Sequence, residues 1–410
     1  MGGLLGIGAT WSYKSESGAK SGDSCLRSVT ILGASGSIGT SALAFLRLHR
    51  DEFRLQNIAV NGDWQTAVKI CTEFGCSAVA LTDPAAAAEF RKNAPDPACE
   101  VFEGPDASAA VSSQPVDVVL AAISGSAGLP SVVAAVKAGN RLALANKEPV
   151  VCAGRALLDL AQKHGVEVIP TDSEHSAIFQ SLLAGKHSEI ASILLTASGG
   201  PFRTSSLEQM RAATPAQALN HPNWSMGNKI TIDSATLANK GLELIEAAYL
   251  FEQDQKNIEV VVNPSSILHS AVQFRDGSMI AQLGKPDMRV AIGYGLSWPD
   301  RLETGVEPIS LAALGALTFE QVDTEKFRCL GLARASLASG AGGPLLFNAA
   351  NEIAVAAFLK GRIGFMEIPE LIEHCLELGG SRFAASLDDV VAVNAEALQF
   401  SREQLLVRAA

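Results

Sequence analysis

The stretch "VTILGASGSIGTSALAFLRLH", beginning at Val29, reads as a short apolar strand, a glycine-rich turn and a helix. Strand-like runs then recur in "QNIAVNG", "SAVALTD", "VDVVLAAISG", "RLALANK" and "VEVIPTD", and helix-like runs such as "WQTAVKICTEFG" and "LPSVVAAVKAG" stand between them. Short continuous apolar strands separated by helices require a parallel sheet covered on both faces. The fold class that follows is α/β: an N-terminal Rossmann-like domain over residues 28–172, preceded by an extension, 1–27, with no periodicity. "EIASILLTASGGPF", "KITID", "IEVVVNPSSILHSAVQF" and "SMIAQLG" alternate more and run longer. They point to a central α+β catalytic domain, 173–297, with a partly antiparallel sheet. Residues 298–323 read as a linker. After them only helical patterns occur, which gives a C-terminal helical domain, 324–410.

"GASGSIG", Gly33–Gly39, places glycines between the first strand and the first helix. There they allow a tight turn and close approach of a pyrophosphate to the helix N-terminus. A ligand-free turn uses the same residues. Asp63 in "VNGDW" stands near the end of the second strand, where NAD-binding domains carry an acid for the ribose.

"TDSEHSAIFQ", Thr171–Gln180, sets Asp172 and Glu174 two residues apart at the end of a strand. Two adjacent carboxylates repel unless one is protonated or a cation lies between them, and hard divalent ions prefer such oxygens. The alternative is a helix start with Ser173 as N-cap. In "DSATLANKGLELIEAAYLF", Asn239, Lys240 and Glu243 share one helical face, which also suits a surface ion pair. Ser198 in "TASGGPF" and the nearby backbone N–H groups suit a phosphate, or form an ordinary turn. "HPNWSMGNK" carries His221, Trp224 and Met226 in a loop suited to a lid, unless Trp224 only packs on the core. Lys147 in "ANKE" adds a cation.

The formal net charge of −11 disfavours a nucleic-acid partner. Seven cysteines, Cys25, Cys71, Cys76, Cys99, Cys152, Cys329 and Cys375, include no C-x-x-C and suggest a reducing, cytoplasmic setting. No apolar run approaches the roughly 18 to 20 residues of a membrane span, so no membrane partner is expected. The extension 1–27 reads as a disordered start or a transit-peptide remnant.

Taken together, "GASGSIG", "ANKE", "PTDSEHSAIFQ", "LTASGGPFR", "HPNWSMGNKITIDSATLANKGLELIEA" and, more weakly, "FNAANEIAV" resemble 1-deoxy-D-xylulose 5-phosphate reductoisomerase. The likeness runs from about residue 28 to 405. It implies conversion of a phosphorylated sugar, 1-deoxy-D-xylulose 5-phosphate, to 2-C-methyl-D-erythritol 4-phosphate for isoprenoid synthesis. It also implies NADPH, a divalent ion (Mn²⁺, Mg²⁺ or Co²⁺) and a V-shaped homodimer. Asp172, Glu174 and Glu243 match the family's metal ligands. Ser173 and Lys147 match contacts to substrate oxygens. Ser198, Ser234, Asn239 and Lys240 match the phosphate site, with His221 beside it. The resemblance implies Lys147, Glu174, His221 and Glu243 as the catalytic group. Ser35, Gly36, Ser37, Ile38, Gly62, Asn146, Glu148 and Gly227 match cofactor contacts. Three positions depart from the family's usual pattern: Ser35 for Thr, Asp63-Trp64 for a basic or Asn-containing turn, and Pro149 for Ser. Competing readings are a simple Rossmann-type dehydrogenase and a non-catalytic nucleotide sensor.

Overall fold

The computed structural model describes residues 26–224, 226–340 and 342–409. Most of the expected extension 1–27 lies outside the described residues, but Arg27 already belongs to the first strand. The chain divides into two compact units. One comprises 26–146, 159–189 and 287–307; the other comprises 147–158, 190–286 and 308–409.

The first unit holds seven strands: β1 (Arg27–Leu32), β2 (Phe53–Val60), β3 (Ala78–Leu81), β4 (Glu100–Glu103), β5 (Val118–Ala121), β6 (Arg141–Leu144) and β7 (Val168–Pro170). Their order is β4-β3-β2-β1-β5-β6-β7, and every pairing is parallel. The strand order reverses between β1 and β5, which is where an open α/β sheet binds its ligand. Val29, Ile31, Ile58, Val79, Leu81, Val118, Leu120 and Ala143 are buried between the sheet and its helices. β4 is an edge strand whose two end glutamates are exposed, so its sequence lacks the apolar run that marks its neighbours.

Helix Met288–Ser297 belongs to this unit, not to the central domain expected at 173–297. Its Ile292 and Leu296 enter the same core as Phe45 and Leu46 of helix Ser37–Leu48. The segment after it is held the same way. Arg27 donates to the Ser297 carbonyl at 2.8 Å and pairs with Asp300, and Arg141 donates to the Trp298 carbonyl at 2.8 Å.

The second unit holds β8 (Ile190–Ala197), β9 (Ile258–Val262), β10 (Leu268–Phe274), β11 (Met279–Leu283) and β12 (Glu320–Gln321). The order is β11-β10-β8-β9-β12, with only β8 and β9 parallel. The sheet is thus partly antiparallel as expected, while β12 comes from residues expected to be a linker. "KITID" is not a strand. It lies in helix Asn228–Thr236, where Lys229 and Asp233 pair at i,i+4 and Thr231 and Thr236 return their hydroxyls to carbonyls one turn back. Alternation of β-branched residues suggested extended backbone, and these helical contacts override it.

Helix Gly342–Leu359 is long and apolar enough to cross a membrane, contrary to the sequence expectation. However, 78% of its 18 residues are buried in the protein, among them Asn348 and Asn351. It is the core helix of this unit and packs on helices Arg328–Ala338, Glu367–Gly379 and Val390–Ala409. The six described cysteines are free and buried.

Candidate functional site

In the first unit, the turn after β1 is fixed by close backbone contacts. Gly33 has φ 81°, and a Cβ there would stand 2.5 Å from the carbonyl oxygen of Ala122, just past β5. A Cβ on Gly39 would stand 2.5 Å from the Ala34 oxygen. Only glycine fits either place, so the turn lies flat against the switch point. Ser35, Gly36 and Ser37 are exposed there, with Ile38 half-buried, at the start of helix Ser37–Leu48. The first-turn N–H groups and positive dipole end of this helix fit a pyrophosphate. Gly62 follows β2, and Asn146 follows β6 with its amide on the Gly125 carbonyl at 3.4 Å.

Asp63, beside Gly62, is the N-cap of helix Trp64–Phe74. Its Oδ1 accepts from the Thr66 N–H at 3.1 Å. One of its two carboxylate oxygens thus caps the helix, which gives Asp63 a structural role at this turn.

Helix Ser173–Leu182 begins one residue earlier than a Ser173 cap requires. Asp172 holds the N-cap position, yet its side chain makes no capping bond. Ser173 instead donates to the Glu174 carboxylate. These carboxylates therefore do not serve helix capping. His175 and Ser176 are buried.

In the second unit, helices Asn228–Thr236 and Ala238–Leu250 meet at Leu237, whose φ is 56°. Non-glycine residues rarely take this left-handed conformation. The bend puts the start of the second helix beside Lys147. Lys147 Nζ donates to Asn239 Oδ1 at 2.9 Å and to Glu243 Oε1 at 3.1 Å. Asn239 and Lys240 also donate to Glu243. Lys147, Lys240 and Glu243 are 5%, 3% and 1% exposed, which rules out a surface ion pair. A carboxylate held by two buried ammonium groups is a site built for charged ligands.

A second cluster lies beyond β8. Gly199 and Gly200 have φ 84° and 66°, and a Cβ on Gly200 would meet the Ser234 carbonyl oxygen at 2.7 Å. The two glycines thus bring the Ser198 turn onto the end of the helix that carries Ser234. Ser198 Oγ lies 3.1 Å from His221 Nε2. His221 Nδ1 accepts from the N–H groups of Asn223 (3.2 Å) and Trp224 (3.1 Å). Two donors at Nδ1 assign the imidazole proton to Nε2, which donates to Ser198. Burial holds the His221 ring below the usual histidine range. Asn223 ties the same loop to the Pro264 carbonyl at 2.8 Å and to Ser266 Oγ at 3.0 Å. His221, Trp224 and Met226 are half-buried.

The structure therefore groups Lys147, Asn239, Lys240 and Glu243, and separately Ser198, Ser234 and His221. Ser35, Gly36, Ser37, Ile38, Gly62, Asn146, Asp172, Ser173 and Glu174 are in the first unit; Glu148, Gly227 and Glu243 are in the second. Sequence reasoning missed Lys229, which donates to both Glu148 (2.9 Å) and Asp233 (2.8 Å). Its i,i+4 spacing to Asp233 was the available signal, hidden by the strand reading of "KITID".

A Rossmann-like turn, a carboxylate-rich strand end and a buried lysine–carboxylate cluster define a dinucleotide-dependent enzyme acting on an anionic, oxygen-rich substrate. Residues 29–154 match the family described as 1-deoxy-D-xylulose 5-phosphate reductoisomerase, 168–251 its C-terminal domain, and 283–400 the DXP reductoisomerase C-terminal domain. Proteins named 1-deoxy-D-xylulose 5-phosphate reductoisomerase from Bradyrhizobium diazoefficiens and Chlorobium phaeobacteroides are each 46% identical over 379 residues. That is 92% of this chain and 93% and 98% of theirs. A crystal structure of DOX-P reductoisomerase with NADPH, fosmidomycin and magnesium is similar at TM-score 0.89 and 38% identity, covering 93% of this chain and 99% of that one. The Zymomonas mobilis reductoisomerase with NADPH is similar at 0.85 and 39%, with the same coverage. The chain belongs to the 1-deoxy-D-xylulose 5-phosphate reductoisomerase family.

Proposed function

We propose that this protein rearranges and reduces 1-deoxy-D-xylulose 5-phosphate to 2-C-methyl-D-erythritol 4-phosphate, with NADPH and a divalent ion, in isoprenoid synthesis. The observation that carries it is the buried Lys147–Glu243–Lys240 cluster in a chain of this family. The ion supplies Lewis-acid polarisation of the substrate's C–O bonds, and NADPH supplies the hydride. Asp172, Glu174 and Glu243 would hold the ion; an all-carboxylate donor set suits Mg²⁺ or Mn²⁺. Ser173 and Lys147 orient the substrate oxygens. Ser198, Ser234, Asn239 and Lys240 hold its phosphate, with His221 fixing the Ser198 hydroxyl. Ser35, Gly36, Ser37, Ile38, Gly62, Asn146, Glu148 and Gly227 are the residues assigned to NADPH. The setting is cytoplasmic. The protein is a homodimer joined through β11, a sheet edge with exposed Met279 and Ile280; sedimentation of Ile280→Lys as a dimer would remove that interface.

The test is oxidation of NADPH that depends on both the sugar phosphate and Mg²⁺ or Mn²⁺. A plain dehydrogenase would return no branched product, and a sensor no turnover. NADPH is expected to exceed NADH in kcat/KM. Asp63→Asn should keep that preference because Asn also caps helices. A preference for NADH in the parent would support the ribose reading of Asp63.

The loop of His221, Trp224 and Met226 closes over the bound substrate and excludes water. Protonating His221 places an N–H at Nδ1 against the two backbone donors there. Its folded pKa lies below the ordinary value of 6.5, so its contribution to loop order is present above that value and declines as pH falls below it. Trp224 emission, read in a variant lacking Trp11, Trp64 and Trp298, should shift over that window together with a rise in substrate KM. Constant emission and KM across it would leave Trp224 as core packing.

A further inference from the structure

Glu148 is the first residue of helix Glu148–Lys163, directly after Lys147, and is 7% exposed. Its carboxylate is fixed by groups that no site assignment above contains. Lys229 Nζ donates to Glu148 Oε1 at 2.9 Å and to Asp233 Oδ2 at 2.8 Å. The remaining oxygen of Asp233, Oδ1, accepts from Asn351 Nδ2 at 2.8 Å. Asp233 is 2% exposed and Asn351 is fully buried. Both oxygens of Asp233 therefore have donors on the protein, and the carboxylate has one orientation. The chain of contacts runs from the middle of helix Gly342–Leu359, through Asn228–Thr236, to the residue after Lys147. "FNAANEIAV", which contains Asn351, otherwise had no role.

The charges support one another. Burial by itself lowers the Lys229 ammonium, but Asp233 and Glu148 outweigh it and hold it above the ordinary lysine value. Burial likewise favours a neutral Glu148, but Lys229 and then Lys147 hold it ionised, below the usual glutamate value. Packing does not account for Asn351. Its Oδ1 is buried with no hydrogen-bond partner among the described residues, and such an acceptor costs stability. What Asn351 adds is the donor to Asp233.

We propose that Asn351, Asp233 and Lys229 are positioning residues for NADPH: Asn351 orients Asp233, Asp233 orients Lys229, and Lys229 sets the Glu148 carboxylate for the cofactor. This rests on the reading of Glu148 as a cofactor contact. A glutamate fixed before binding loses no rotamer freedom when the cofactor arrives.

The experiment measures NADPH binding to the full chain, without substrate, by nicotinamide fluorescence, for the parent, Glu148→Gln, Asn351→Leu and Asp233→Asn. Thermal unfolding and the KM for 1-deoxy-D-xylulose 5-phosphate are read alongside. Asn351→Leu and Asp233→Asn should each raise the NADPH Kd about ten-fold, the scale of one lost hydrogen bond to a charged group. Substrate KM should stay near the parent's. The proposal is overturned if both variants fold and bind NADPH like the parent while Glu148→Gln binds weakly, which leaves the Glu148 assignment standing. Parent-like binding by Glu148→Gln removes that assignment and the proposal with it. If Asn351→Leu and Asp233→Asn both lose the folded state, the network serves stability and the proposal falls. A parent that binds NADPH but does not turn over the sugar phosphate fails the functional reading separately, in the turnover assay.

Discussion

Asp172→Asn is expected to lower turnover by about a thousand-fold, the scale of losing a group that stabilises charge at the reacting atoms, while NADPH binding and thermal stability stay near the parent's. The amide keeps the volume and one carbonyl oxygen but removes the anionic donor that a hard divalent ion prefers. Asp172 makes no capping bond to its helix, so the change does not unpick the helix start. Glu243→Gln should lose as much turnover but is a harsher test of the fold. Glu243 is 1% exposed and accepts from both Lys147 and Lys240. Its amide leaves two buried ammonium groups without that counter-charge, and breaking a buried pair in this way costs about 3–5 kcal/mol. The measurement is steady-state turnover across a Mg²⁺ and Mn²⁺ titration, with unfolding followed in parallel. Parent-like turnover by Asp172→Asn at low metal concentration would end its assignment as a ligand.

How far the sequence alone could reach depended on whether a signal was local. Six of the seven parallel strands announce themselves as apolar runs because both faces of that sheet are covered. β4 does not, since an edge strand ending in Glu100 and Glu103 has little to bury. Helix Met288–Ser297 was not read from the sequence, and nothing local tells that Ile292 and Leu296 return to the first core. "KITID" failed for the opposite reason: its alternation is strand-like, although it carries the i,i+4 pair of Lys229 and Asp233, and the further partners of these two residues, Glu148 and Asn351, lie 81 and 118 residues away in sequence. At the site, the i,i+3 and i,i+4 spacings of Asn239, Lys240 and Glu243 placed them on one face. Their burial, and the arrival of Lys147 between them, needed the fold. The tautomer of His221 was likewise out of reach, because it is set by backbone donors of Asn223 and Trp224.

Lys147→Met should reduce kcat/KM for the sugar phosphate by about a hundred-fold, roughly 2.7 kcal/mol of lost transition-state binding. Methionine keeps an unbranched apolar stem as far as Cε and removes the ammonium. That ammonium now lies 2.9 Å from Asn239 Oδ1 and 3.1 Å from Glu243 Oε1, so the substitution has two effects of opposite sign. It takes away the proposed contact to the substrate's oxygens, which lowers turnover. It also takes away a cation that competes with a divalent ion for Glu243, which leaves the metal concentration for half-activation unchanged or lower. A split of this kind, turnover down and metal requirement not up, marks a residue that touches substrate. If the metal requirement rises in step with the loss of turnover, Lys147 acts by holding Glu243 in place, and the substrate contact is wrong. Lys147→Arg is not expected to rescue. The guanidinium is planar and larger than the ammonium it replaces, and it would enter a position that is only 5% exposed.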